Sequence, residues 1–168
     1  MEEDASVTIR RAEERDVPDL GRLGAALLRA HYGFDRQRFL APGANPEEGY
    51  AWFLRGQLRD DDAVIFVAEC AGRVVGYVYA GIEPRSWKEL RDVAGFVHDV
   101  LVADDERRRG IGSRLIAAAA EWLTARGVPR VMLWTAERNP PAQRLFKRLG
   151  FRRTMIEMTR ETTATKAP

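Results

Sequence analysis

The stretch Val97–Leu115, VHDVLVADDERRRGIGSRL, constrains this chain more than any other. It opens as an apolar strand with His98 and Asp99 set into it, crosses a charged loop, and turns on Gly110-Ile111-Gly112 into a long helix. Gly127 and Pro129 stop that helix, and an apolar segment, Val131–Thr135, follows. Strand, crossover helix and strand over 95–135 make a βαβ unit. Its two strands must run parallel, joined by a right-handed crossover. The chain is therefore α/β, with a sheet that needs cover on its faces.

The flanking segments fill in the rest. Val7–Arg11 reads as a strand. Asp16-Val17-Pro18 supplies a capping side chain and a first-turn proline for a helix with Leu20, Leu23, Leu27 and Leu28 on one stripe. Gly33 offers a stop. Asn45-Pro46 starts a second helix, with Tyr50, Phe53, Leu54 and Leu58 on its apolar face. Ala63–Cys70 and Arg73–Ile82, joined at Ala71-Gly72, read as an antiparallel hairpin. Glu83–Arg91 is polar and loop-like. Asn139-Pro140 opens a last helix that Gly150 stops, and Phe151–Thr159 reads as a final strand. The expected order is β-α-α-β-β-β-α-β-α-β. It describes one mixed sheet flanked by helices on both faces, a single domain over 1–161, and a frayed tail at 162–168.

Composition excludes several classes of function. The 168 residues are 45% hydrophobic and 31% charged, with a formal net charge of +2. That balance argues against nucleic acid or an anionic membrane as partner. One cysteine, Cys70, leaves no internal disulfide and suits a reducing compartment. The acidic start, MEEDAS, is unlike a secretory signal, and no apolar run approaches a membrane span. A cytoplasmic protein is expected, either monomer or homodimer.

The glycine turn is the chemical centre of the sequence. A helix N-terminus presents bare N–H groups and partial positive charge, and glycines let a ligand reach the backbone. Arg107, Arg108 and Arg109 add cations suited to phosphate. Asp104, Asp105 and Glu106 stand directly before them, so a solvated, charge-balanced surface turn is the competing reading. The turn is not a Walker loop, since no Gly-Lys-Ser/Thr follows. Nor is it the dinucleotide fingerprint, since Leu115 stands at the third glycine.

Residues 107–112 fit R-x-x-G-x-G five residues past Val102, and Asn139-x-x-Ala142-x-x-x-Phe146-x-x-x-Gly150-Phe151 follows. With this spacing and element order, the chain resembles the GNAT family of acyl-CoA-dependent N-acyltransferases. The specific matches lie between about 96 and 151. The resemblance implies acetyl-CoA as acyl donor, an amine acceptor and no metal. It places the pyrophosphate of coenzyme A on the backbone of Arg107, Arg108, Arg109, Gly110, Ile111 and Gly112, with Ser113 adding its amide or hydroxyl. It implies that the pantetheine arm pairs with a splayed strand at Val100, Leu101 and Val102, the Val100 amide polarising the thioester carbonyl. Asn139, Ala142 and Phe146 then line the other wall.

Two positions depart from the family pattern. His98, followed by Asp99, stands where several members carry a general-base glutamate. A histidine, with an ordinary pKa of about 6.5, is a plausible replacement. Strict alternation sends His98 and Asp99 to opposite faces, whereas a bulge changes that. Phe146 stands where many relatives have a tyrosine that protonates the departing thiolate. Glu83 is an alternative base or ammonium holder. The acceptor side draws on His31, Tyr32, Tyr50, Glu83, Arg85, Trp87 and Arg91. Against the enzyme stands a non-catalytic acyl-CoA-sensing domain on the same fold.

Overall fold

The computed structural model describes residues 6–162. Five strands form one sheet in sequential order: β1 (Val7–Arg11), β2 (Ala63–Cys70), β3 (Arg73–Glu83), β4 (Ala94–Val102) and β5 (Val131–Leu133). The first four run antiparallel to their neighbours, and β4 and β5 run parallel. Helices α1 (Val17–Phe34) and α2 (Pro46–Gln57) precede the β2–β3 hairpin. Helix α3 (Ile111–Ala125) links β4 to β5, and α4 (Pro140–Arg148) follows.

Two apolar clusters, one on each face, hold the layers together. Side chains of α3 (Ile111, Leu115, Ala119, Leu123) pack on Val64, Val78, Ala80 and Val97 of the sheet. On the opposite face, Leu20 and Leu23 of α1 and Leu54 of α2 pack on Ile65, Val67, Tyr77 and Tyr79. Each strand of the centre thus buries both faces, as its near-continuous apolar sequence requires.

The α1–α2 contact depends on two missing side chains. A Cβ on Gly21 would lie 2.6 Å from Glu47 O, and one on Gly24 would lie 2.0 Å from Cδ1 of Tyr50. Helix α2 therefore nests against α1, and the Tyr50 ring passes over Gly24 toward the sheet.

Three sequence expectations change. Asp16 does not cap α1 with its side chain. Arg10 takes it in a two-pronged pair at 2.8 and 2.9 Å, and the Glu13 amide donates to it at 2.8 Å. Gly33 does not stop α1, which runs on through Phe34. The strand expected at 151–159 is not in the sheet, because β5 spans only Val131–Leu133 and offers a short outer edge. Arg38 instead pins this segment through Glu157, its second nitrogen at 2.9 Å. The tail at 162–168 lies outside the described residues except for Thr162. Among those residues no helix is long and apolar enough to cross a membrane.

Candidate active site

The parallel pairing of β4 with β5 is brief. It joins Gly95, Phe96 and Val97 to Val131, Met132 and Leu133, and stops there. From His98 onward β4 keeps only its β3 neighbour. The Ala103 amide donates across to Val75 O at 2.8 Å. Alternation along the strand therefore turns the Leu101 amide toward β3 as well, and the Val100 and Val102 amides toward the open edge. Of the three residues expected to pair with an extended ligand, Val100 and Val102 point donors at it. Leu101 turns both its backbone groups to β3, and its side chain packs on the α1–α2 face.

A bulge sits at the head of this split. Tyr79 of β3 faces Asp99, and Ala80 faces Val97, so His98 is the extra residue. The bulge resolves the alternation problem: Val97 stays in the α3-side core, while His98 and Asp99 both turn to the α1–α2 side. They do different things there. His98 is exposed, and its Nε2 lies 3.0 Å from Oε1 of Glu83 at the end of β3. Its ring stacks on Tyr79, centroids 4.8 Å apart, and on Phe96 at 5.7 Å. The carboxylate fixes and orients the imidazole, as in other carboxylate–histidine pairs.

Asp99 is held away from that pair. One carboxyl oxygen accepts from the Tyr50 hydroxyl and from the Tyr77 hydroxyl, each at 3.0 Å. Burial pushes the Asp99 carboxyl above the usual carboxylate range, against the pull of the two phenols. The same burial and the nearby carboxylate raise the Tyr50 and Tyr77 phenols far above the ordinary tyrosine range. The Tyr79 phenol is pushed up to about 12, chiefly by burial. Asp99 thus ties α2 to β4 and β3.

The glycine turn follows a short 3-10 turn at Asp104–Glu106. Gly110 has φ 73° and caps α3 with no side-chain hydrogen bond, so the first-turn amides of Ile111, Gly112 and Ser113 project from the helix end. Arg108 is also left-handed, at φ 65°. The Ile111 side chain is buried in the core, so only its backbone faces the turn. A Cβ on Gly112 would meet Leu145 of α4 at 3.5 Å and Val102 at 3.9 Å, which brings the ends of α3, α4 and β4 together. The balancing acids are engaged. Arg107 pairs with Asp104 at 2.7 Å and donates to Val102 O at 3.1 Å, and Arg109 pairs with buried Glu106. The turn's positive field is therefore that of the backbone plus arginines already braced by acids.

On the far wall Asn139 caps α4, its side-chain oxygen accepting from the Ala142 amide at 3.3 Å. Phe146 is buried against Phe151 and carries no titratable group. Of the acceptor-side candidates, Tyr50 and Glu83 lie in the site. His31 bonds the Leu27 carbonyl within its own helix. Arg85 pairs with Asp92. Arg91 folds back onto Pro84 O and over the Phe96 ring. Trp87 stands exposed on the β3–β4 loop.

Sequence reasoning missed Tyr77, Tyr79, Phe96 and Trp134. The Tyr-x-Tyr spacing in β3 does mark two rings on one face, but only the register of β4 shows what they meet. Two shallow surface depressions of about 380 and 400 Å³ lie elsewhere, beside Arg73 and beside Arg126. Neither is lined by Glu83, His98, Asp99 or the glycine turn, and the open split is the feature with chemistry in it.

Residues 27–151 match the acetyltransferase (GNAT) family. This chain belongs to that family. It is 33% identical over 144 residues to an uncharacterized N-acetyltransferase of Methanocaldococcus jannaschii, covering 86% of this chain and 60% of that one. It is 32% identical over 146 residues to a mycothiol acetyltransferase of Thermobispora bispora, covering 80% and 49%. The chain thus spans between half and three fifths of the length of these relatives. Its fold superposes on the aminoglycoside N-acetyltransferase AAC(6')-Iy in complex with CoA. The TM-score is 0.75 at 20% identity, over 98% of this chain and 99% of that one. At that identity the likeness is one of fold.

Proposed function

We propose that the chain is an acyl-CoA-dependent N-acyltransferase that moves an acetyl group from acetyl-CoA to a primary amine by direct attack on the thioester. The observation that carries this is the coincidence of two openings. The β4–β5 split begins at the residue where the bulge turns His98 outward. Donor amides and the Glu83–His98 pair therefore share one mouth. The Val102 and Val100 amides offer an extended donor a strand-like edge, and the α3 N-terminus at its foot suits phosphate oxygens.

At the mouth His98, oriented by Glu83, takes a proton from the incoming ammonium. The neutral amine attacks the carbonyl, and the Val100 amide stabilises the oxyanion. The tetrahedral species expels the thiolate. Phe146 has no proton to give, and a thiol with an ordinary pKa of about 8.5 needs little help; as the C–S bond breaks, the amine nitrogen gives its second proton to water and water protonates the thiolate. Asp99 belongs to the scaffold in this reading.

Two measurements test it: thermal stabilisation by coenzyme A, and thiol release from acetyl-CoA with a panel of amines. Stabilisation and turnover are expected, and His98→Ala is expected to lower kcat by about 10²–10⁴-fold with coenzyme A affinity kept. Stabilisation without turnover on any amine favours the sensing domain instead. An unchanged pH–rate profile in His98→Ala overturns the base assignment.

A further inference from the structure

The mouth of the split is walled by rings. They run in sequence across the α1–α2 face: Tyr50 to Phe53 at 5.9 Å, Phe53 to Tyr79 at 5.8 Å, Tyr79 to His98 at 4.8 Å, His98 to Phe96 at 5.7 Å, and Phe96 to Trp134 at 5.9 Å. The row spans from α2 to the first residue beyond the last β5 pair. Tyr50 at one end is half-buried, while Phe53 beside it, at 38% exposure, and Trp134 at the other end, at 72%, are open to solvent.

The hydroxyls of this wall are already used. Tyr79 donates to Gln57 Oε1 at 2.9 Å, and Tyr50 donates to Asp99. What remains for a visitor is ring face and ring edge, with little for a polyol to bond. The acid beside it is Glu83, whose carboxylate lies 3.0 Å from His98 in the middle of the row. Arg91 is spent on Phe96 and on its own loop, and its guanidinium 5.0 Å from that ring centre shows that the wall accepts a cation.

We propose that the acceptor is a primary amine carrying an aromatic ring, its ammonium drawn to Glu83 and His98 and its ring laid against the exposed Phe53 beside Tyr79. The inference rests on the acyltransferase reading above. Two sources supply this chemistry: a free ring-bearing amine, or a peptide whose first residue is aromatic.

The test compares kcat/KM for 2-phenylethylamine, a short peptide amide beginning with phenylalanine, propylamine and glucosamine, each with acetyl-CoA. One ring-bearing acceptor is expected to exceed propylamine and glucosamine by about tenfold or more, the size of one or two good ring contacts. Whichever of the two leads identifies the source. Phe53→Ala is expected to collapse the ratio of ring-bearing amine to propylamine to within about threefold, chiefly through KM, and Phe53→Tyr to restore it. Equal rates for all amines overturn the inference, as does a Phe53→Ala loss shared equally by propylamine. Coenzyme A stabilisation is read in parallel. Where it is present, a missing ring preference counts against this inference alone, and where it is absent the reading beneath falls as well.

Discussion

Gly24 gives the sharpest handle on how the site is held. The Tyr50 ring occupies the space where a side chain would be, 2.0 Å from the position of a Cβ, and its hydroxyl reaches Asp99 at 3.0 Å. Gly24→Ala has three effects. Alanine raises helix propensity by about 1 kcal/mol. Overpacking costs about 1–3 kcal/mol, and a displaced Tyr50 loses a hydrogen bond to a carboxylate, about 1.5–3 kcal/mol. The net expectation is a loss of about 1.5–5 kcal/mol, a large share of an ordinary domain's stability. Urea unfolding reads it. The decisive comparison is with Tyr50→Ala as background. There the clash and the hydrogen bond are both gone, and Gly24→Ala should turn stabilising, by up to about 1 kcal/mol. If the Gly24→Ala cost is the same in both backgrounds, the account of Tyr50 as the link between α1 and Asp99 is wrong.

Two further substitutions probe separate parts of the site. Gly112→Asp meets only ordinary contacts at Leu145 and Val102, so it should fold, yet place a carboxylate among the first-turn amides of α3. A folded variant whose melting temperature no longer responds to coenzyme A is expected, and a normal response refutes the phosphate site. Asp99→Asn tests the buried acid. Its folded pKa is raised, so the protonated form is the favoured one inside, and its contribution is lost as pH rises through that raised value. At pH 7 the asparagine protein should match or exceed the parent in thermal stability, with the difference closing as pH falls toward 4. A parent more stable at pH 7 by a pH-independent margin contradicts the burial argument.

Local chemistry made most of the elements legible. Asn45-Pro46 starts α2, Gly72 turns the hairpin, and Gly127 ends α3 where the residue types say they should. The parallel β4–β5 pair followed from the crossover helix between them. What failed needed partners distant in sequence. Asp16 looks like a cap until Arg10 is brought beside it. The segment at 151–159 has apolar residues, but a strand also needs an edge, and the three residues of β5 give little of one. His98 and Asp99 illustrate the point within the site. Their neighbours in sequence do not say whether they share a face. That is decided by one unmatched residue in the β3–β4 ladder, a count taken across two strands. Tyr77 and Tyr79 became part of the site by the same register.

The parting of β4 from β5 also sets a size limit. Neighbouring strands sit about 4.8 Å apart, so opening one position of a sheet leaves a gap about one extended chain wide. Such a gap admits a slim unbranched molecule lying flat, edge toward Val100 and Val102, and turns away a helix, which is about 10 Å across. Past Leu133 no strand among the described residues pairs with β4, so these groups form a sheet edge, and Arg107 already occupies Val102 O at 3.1 Å. A long edge of this kind would invite aggregation. Here the same exposed hydrogen-bonding row is kept for whatever is thin enough to enter.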